Sequence, residues 1–169
     1  MNDAPFVISP LSASHDRASF TCGVEALDRY FRQQASQDMR RRIATCFVLT
    51  EAATGAIAGY YTLTATSVVT AQLPDAVTAK LPRYAAIPAV LIGRLAVSSL
   101  FQARKLGSAL LADAVTRAAR ADIATFAVLV DPKDEAARRF YQHHGFLGLP
   151  PDRRMFIPME SALRFFGTH

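Results

Sequence analysis

Cysteine is scarce in this chain of 169 residues: Cys22 and Cys46 are the only two, without a Cys-x-x-Cys spacing or a histidine pattern beside them. Two thiols cannot build the disulfide framework of a small secreted domain, and they read as small buried hydrophobes. The four histidines, His15, His143, His144 and His169, are scattered, which speaks against a metal site. Long apolar runs are missing too. The longest, from Ala85 to Gly93, is interrupted by Pro88 and stopped by Arg94, well short of the ~18 residues of a membrane helix. Met1-Asn2-Asp3-Ala4-Pro5 lacks the charged start and apolar stretch of a secretory leader. No internal repeat, low-complexity tract or linker interrupts the chain. With 51% hydrophobic and 20% charged residues, disorder is excluded as the main state. The expectation is one soluble domain over residues 1–169, in a reduced cytoplasm and not in a membrane.

Lysine is nearly absent as well. Among 19 cationic residues against 14 acidic ones, only Lys80, Lys105 and Lys133 are lysine. Arginine grips phosphate through a bidentate fork, which hints at a phosphate-bearing partner. A genome rich in GC writes the same composition, so charge alone leaves function open.

Phe6 to Leu11 reads as a first strand. From Gly23 a helical period follows in Leu27, Tyr30, Phe31, Ala35 and Met39, ending at Arg40-Arg41-Arg42. Cys46 to Glu51 and Ile57 to Thr64 are β-branched and aromatic runs around the turn glycine Gly55, an antiparallel hairpin. Pro88 to Val97 predicts a central strand, with Gly93 marking a bulge or a close approach. A helix from about Leu106 places Leu110, Leu111, Ala114, Val115 and Ala118 on one face. Thr125 to Val130 is a buried strand, Asp134 to His144 a helix closed by Gly145, and Met155 to Met159 a last strand. Ala71 to Arg83 and Leu147 to Arg153 are looser stretches. This order predicts an α/β (α+β) protein: a mixed central sheet with helices on its faces.

The strand ending at Val97 runs through Ser98–Phe101 into Gln102-Ala103-Arg104-Lys105-Leu106-Gly107-Ser108 and directly into a helix. A loop that opens a helix offers unpaired N–H groups and the positive end of the dipole, a setting for a diphosphate, to which Arg104 and Lys105 add charge. Many strand-to-helix loops carry a glycine and a cation without that role.

The block Gly93-Arg94-Leu95-Ala96-Val97, the Gln102-x-x-x-x-Gly107 loop and Phe140-Tyr141-x-x-x-Gly145-Phe146 resemble the GCN5-related N-acetyltransferases over nearly the whole chain. More narrowly, several segments are similar to the acetyltransferase toxins of bacterial toxin–antitoxin pairs. They are Phe20-x-Cys22-Gly23-x-x-x-Leu27-Asp28-x-Tyr30, Gly59-Tyr60-Tyr61-Thr62-Leu63, Leu81-Pro82-Arg83-Tyr84 with Ile87-Pro88, and Met155-Phe156-Ile157-Pro158-Met159. The resemblance implies acetyl-CoA as cofactor, its pantetheine arm paired with the backbone of Leu95, Ala96 and Val97 and its pyrophosphate held by Gln102, Ala103, Arg104, Lys105, Leu106, Gly107 and Ser108. It implies transfer of acetyl to the α-amino group of aminoacyl-tRNA, blocking translation. It further implies a homodimer and a small ribbon-helix-helix antitoxin as partner. One departure stands out: Lys105 occupies the place of the family's first loop glycine, where a Cβ obstructs and a positive φ is expensive. An ammonium there can also contact phosphate as a point charge, so the loop is either weakened or compensated.

Tyr141 is the general acid by the same resemblance. A tyrosine with pKa near 10 keeps its proton at neutral pH and can give it to a departing thiolate; on the residues alone, Tyr141 equally well packs beside Phe140. No general base accompanies it. An α-amine titrating near 8 needs none, whereas a lysine amine near 10.4 is harder to deprotonate. Arg40, Arg41 and Arg42, with Lys80, Arg83, Arg153 and Arg154, form a candidate track for a tRNA backbone, though cations at a helix C-terminus are stabilising in their own right. The alternatives are an acetyltransferase for a small-molecule or protein amine, and a fold whose altered loop has left it a partner-binding module.

Overall fold

The computed structural model describes residues 5–167; Met1 to Ala4, on which the leader reading rests, and His169 lie outside the described residues. Seven strands form one mixed sheet in the order β1-β2-β3-β4-β5-β7-β6. They are β1 (Phe6–Pro10), β2 (Thr45–Glu51), β3 (Ile57–Val69), β4 (Ala86–Val97), β5 (Ala127–Val130), β6 (Leu147–Gly148) and β7 (Met155–Pro158). The helices are α1 (Glu25–Arg29), α2 (Ala35–Arg40), α3 (Asp75–Thr78), α4 (Leu106–Arg120), α5 (Glu135–His143) and α6 (Met159–Phe166). Two compact units divide the chain: one runs to Thr64 and includes Gly93–Ala114, the other comprises Ala65–Ile92 and the chain from Val115.

In the first unit, β1 and β3 flank β2, both antiparallel to it, so the hairpin read from the sequence forms, with a register shift between Leu49 and Thr50. The helix expected as one element from Gly23 is split. Between α1 and α2 the chain makes a π-helical turn over Tyr30–Gln34. This wider turn carries two consecutive buried aromatics, Tyr30 and Phe31, and Phe31 stacks on Tyr60 with centroids 4.3 Å apart. Around that stack lie Leu11, Phe20, Cys46, Val48 and Ala96. Two buried aspartates brace the segment. Asp28 accepts the Cys22 N–H at 2.8 Å and the Thr21 hydroxyl at 3.1 Å; Asp38 accepts the Tyr30 hydroxyl at 2.8 Å and the Gln34 amide at 3.1 Å. Their oxygens therefore keep hydrogen bonds when removed from water, as buried carboxylates must.

The tight backbone approach is at Gly59 more than at Gly93. A Cβ on Gly59 would lie 2.7 Å from the Ala96 carbonyl oxygen and 3.0 Å from Leu110 Cδ1, whereas one on Gly93 would meet only the Thr62 hydroxyl, at 3.2 Å.

In the second unit, β4 pairs parallel with β5 from Ala89↔Ala127 to Ile92↔Val130, and β7 lies antiparallel between β5 and β6. Val68, Leu73, Ile87, Ala89, Ala127, Leu129, Leu149 and Phe156 form its core. Asp134 caps α5 by accepting the Ala137 N–H at 2.8 Å. Gly145 follows at φ +90°, the left-handed residue expected there. The last strand stops at Pro158, because Met159 already begins α6, a helix the sequence reading did not assign. The looser stretch from Ala71 holds the single turn α3, and that from Leu147 holds β6.

Candidate active site

β4 outruns its parallel neighbour. Pairing with β5 covers Ala89–Ile92, and Gly93–Val97 continue with no β5 partner. Ala96 is buried in the aromatic cluster while Leu95 and Val97 are partly exposed. The strand end is anchored by the Ser98 N–H, which donates to the Ala58 carbonyl at 2.8 Å. The Ser98 hydroxyl then accepts the Leu100 N–H at 3.2 Å and starts a tight turn over Ser99–Phe101.

The loop from Gln102 to Ser108 lies wholly in the first unit, together with Leu95–Val97. Ala103 and Lys105 both adopt left-handed backbone, at φ +64° and +59°. The glycine-type conformation is thus kept at Lys105, where the sequence raised the question, and a second such position, Ala103, emerges beside it. Both are exposed, so neither side chain is wedged into a core. Gln102 is turned inward: its amide donates to the Val97 carbonyl at 3.3 Å and the Cys22 carbonyl at 3.5 Å, bracing the loop. Arg104 stands over the rings of Phe6 and Phe101, 5.2 and 5.5 Å from their centroids, a contact that holds its charge at the loop. Leu106 is buried and roots the start of α4. The Ala109 N–H donates to the Lys105 carbonyl at 3.3 Å, closing the first turn. The positive end of the helix dipole lies at this turn. A helix start, a left-handed turn and two exposed cations fit a diphosphate.

Tyr141 lies in the second unit on the capped helix α5. Its ring is buried against Phe140 and Phe146, at 5.2 and 5.5 Å, and its hydroxyl forms no hydrogen bond among the described residues. Burial, with a smaller push from the Asp131 carboxylate, holds the phenol well above the usual tyrosine value. The group is kept protonated and uncommitted, as a proton donor must be. His144, beside it at the helix end, is tied through Nδ1 to the Phe140 carbonyl at 2.7 Å.

The expected cationic track is placed less uniformly. Arg40, Arg41 and Arg42 are exposed at the end of α2, with Arg42 at φ +58°. Arg40 and Arg17 line a cavity of about 490 Å³ with Ser12, Ser36 and Met39. Lys80 and Arg83 are exposed in the second unit. Arg154 is not free for RNA: it makes a bidentate pair with Asp131 at 2.7 and 3.0 Å. Two polar groups of the first unit escaped the sequence reading. In the sequence Arg94 stands out only as the stop of an apolar run and as part of a family block, and Thr62, facing Gly93, holds a buried hydroxyl without a partner. Neither has a spacing that marks it in advance. Among the described residues no cluster of three or more His, Cys, Asp or Glu side chains could hold a metal, and no helix is long and apolar enough to cross a membrane.

The model of the Acetyltransferase (GNAT) family matches residues 13–146. The chain is 36% identical over 160 residues to the tRNA-acetylating toxin of Mycobacterium tuberculosis (strain ATCC 25618 / H37Rv), covering 93% of this chain and 94% of that protein. Among solved structures it is similar to AtaT complexed with acetyl-methionyl-tRNAfMet, with a TM-score of 0.85 and 29% identity over 95% of this chain and 99% of the other. It is also similar to AtaTR bound with acetyl-CoA, with a TM-score of 0.81 and 28% identity over 96% and 98%. With the family model matching residues 13–146 and a relative 36% identical over 93% of this chain, the chain belongs to the GNAT family of acetyltransferases.

Proposed function

We propose that this enzyme transfers the acetyl group of acetyl-CoA to the α-amino group of aminoacyl-tRNA and so blocks translation. The observation that carries the cofactor part is the loop: Ala103 and Lys105 hold left-handed backbone although neither is glycine. A chain that bears this strain at two positions keeps a shape that the anion needs, which weighs against a fold that has lost its cofactor. The substrate part is supported by the tRNA-acetylating relative that matches 93% of this chain and by the acetylated tRNA in the AtaT structure.

Acetyl-CoA, when bound, supplies a thioester carbonyl open to attack by an amine. Gln102–Ser108 would hold the diphosphate, with Arg104 and Lys105 adding charge. The backbone of Leu95–Val97, left without a β5 partner, pairs with the pantetheine arm. Tyr141 would give its phenolic proton to the departing sulfur as the C–N bond forms and the C–S bond breaks, and would then recover a proton from water. The proton shed by the nitrogen passes to water, since an α-amine titrating near 8 needs no protein base. Arg40, Arg41, Arg42, Lys80 and Arg83 contact the tRNA backbone. The same reading makes residues 1–169 one domain and the protein a cytoplasmic homodimer neutralised by a ribbon-helix-helix antitoxin.

The test is transfer of labelled acetyl to bulk charged tRNA, run beside a panel of small-molecule amines and a lysine-rich protein. Label confined to the charged tRNA, and released with the amino acid on ester hydrolysis, is the expected result. Label on the free amines or on protein lysines instead overturns the substrate assignment.

A further inference from the structure

Arg94 lies on β4 immediately before Leu95–Val97, with its guanidinium 3.6 Å above the centroid of the Tyr30 ring. The guanidinium carbon thus lies close over the ring, at cation–π distance. Among the described residues no carboxylate lies within ion-pair distance of Arg94 and none of its N–H groups meets an acceptor. The platform beneath it is fixed. Tyr30 belongs to the π-helical turn and donates its hydroxyl to buried Asp38 at 2.8 Å; Asp38 is engaged by Gln34 at 3.1 Å; and Tyr60 runs nearly parallel to Tyr30 at 6.5 Å. A guanidinium held over a ring without a carboxylate partner keeps N–H donors for the two oxygens of a phosphate. Because its ring support is immobilised, little side-chain freedom remains to be lost on binding. Wider helical turns of this kind are frequent at functional sites, and here the turn carries the ring on which the cation rests.

Position along the strand says which phosphate. If the loop after Val97 holds the diphosphate, the reactive end of the cofactor lies toward the opposite end of the free strand segment. From Val97 back to Gly93 is four residues, about 13 Å at the strand rise. Arg94 is therefore beside the place where the acceptor arrives, and distant from the diphosphate. Its neighbour Gly93 has no side chain to intrude, and the unpartnered hydroxyl of Thr62 faces it.

We propose that Arg94 is a specificity residue for the acceptor, its fork taking a phosphodiester at the aminoacylated end of the RNA. The inference rests on the acceptor reading above. It explains why this cation is stacked and unpaired when Arg154, of similar exposure, is neutralised by Asp131.

The experiment compares native protein with Arg94→Met and Arg94→Lys. Equilibrium binding of uncharged tRNA is measured between low and moderate salt. Arg94→Met is expected to lower the slope of log K against log salt by about one, and Arg94→Lys to restore the slope without restoring full affinity, because an ammonium lacks the fork. In turnover, Arg94→Met raises KM for aminoacyl-tRNA about tenfold or more with a smaller change in kcat, and leaves the rate on an aminoacyl ester lacking any phosphate unchanged. Its melting temperature and its affinity for acetyl-CoA stay close to native. A salt slope identical in native protein and Arg94→Met overturns the proposal whether or not turnover is seen, as does a loss of acetyl-CoA affinity matching the loss for tRNA. Native protein that binds tRNA through Arg94 but places no label on it contradicts the reaction assigned above and leaves this contact standing.

Discussion

Replacing Ala103 and Lys105 by glycine, singly and together, isolates the strain in the cofactor loop. A residue bearing a Cβ pays about 1–2 kcal/mol for left-handed backbone, and glycine forfeits about 0.5–1 kcal/mol through its freer unfolded chain. Both side chains are exposed, so no packing is lost, and each substitution is expected to stabilise by about 0.5–1 kcal/mol. For a chain of 169 residues the pair then raises the melting temperature by about 2–8 °C. Acetyl-CoA separates the two positions. Ala103→Gly leaves affinity within about twofold, since no charge changes. Lys105→Gly weakens it by about two- to fivefold at low salt, the worth of one exposed charge contact of about 0.5–1 kcal/mol, and salt erases the difference. Thermal unfolding and calorimetric titration of the four proteins read both effects. Destabilisation by both glycines refutes the left-handed assignment, and tenfold tighter binding by Lys105→Gly refutes the compensating role of the ammonium.

Gly59→Ala presses a Cβ to 2.7 Å from the Ala96 carbonyl; because the obstacle is backbone, a loss of about 2–3 kcal/mol in urea unfolding is expected, and a change below ~0.5 kcal/mol contradicts the close approach. Alkaline pH is expected to unfold the protein. Burial pushes the Cys46 thiol up to about 12 and holds Tyr30, Tyr60 and Tyr141 above the usual phenol value. The unfolded chain releases these protons near 8.5 and 10 while the native state keeps them. Their contribution is complete below those values and is lost as pH rises through them, by up to about 1.4 kcal/mol per pH unit for each group. Urea midpoints from pH 8 to 11 follow the loss, and phenolate absorbance from all five tyrosines near pH 10 in a still folded protein contradicts it.

What the sequence disclosed, and what it concealed, follow from how local each signal is. The apolar stripe of α4 and the β-branched runs of β2, β3 and β5 are periodic over short windows, and these elements form where they were read, with the α4 stripe and β5 buried. Gly145 was legible because a helix end needs a left-handed residue. The split of the first helix was not: Tyr30-Phe31 fits a helical period, and only the stacking on Tyr60, 30 residues away, makes the wider turn worthwhile. The helix α6 was hidden because Pro158 both ends β7 and precedes Met159, and the apolar Met155–Met159 run reads as strand throughout. At the candidate site, the loop was found by its place between strand and helix, but Ala103 has nothing in its identity that announces positive φ. Arg154 looked like a free cation because Asp131 lies 23 residues upstream. Arg94 acquires meaning only when Tyr30 is seen beneath it.

Acyl transfer through Tyr141 is the central claim, and the most direct test is labelled acetyl transfer to charged tRNA by native protein and Tyr141→Phe, matched for folding and acetyl-CoA affinity. The substitution removes one hydroxyl with no hydrogen-bond partner among the described residues, so stability is expected to hold while kcat falls by about 10²–10⁴, the usual worth of a general acid. Undiminished kcat in Tyr141→Phe, with native protein active on charged tRNA, contradicts the account.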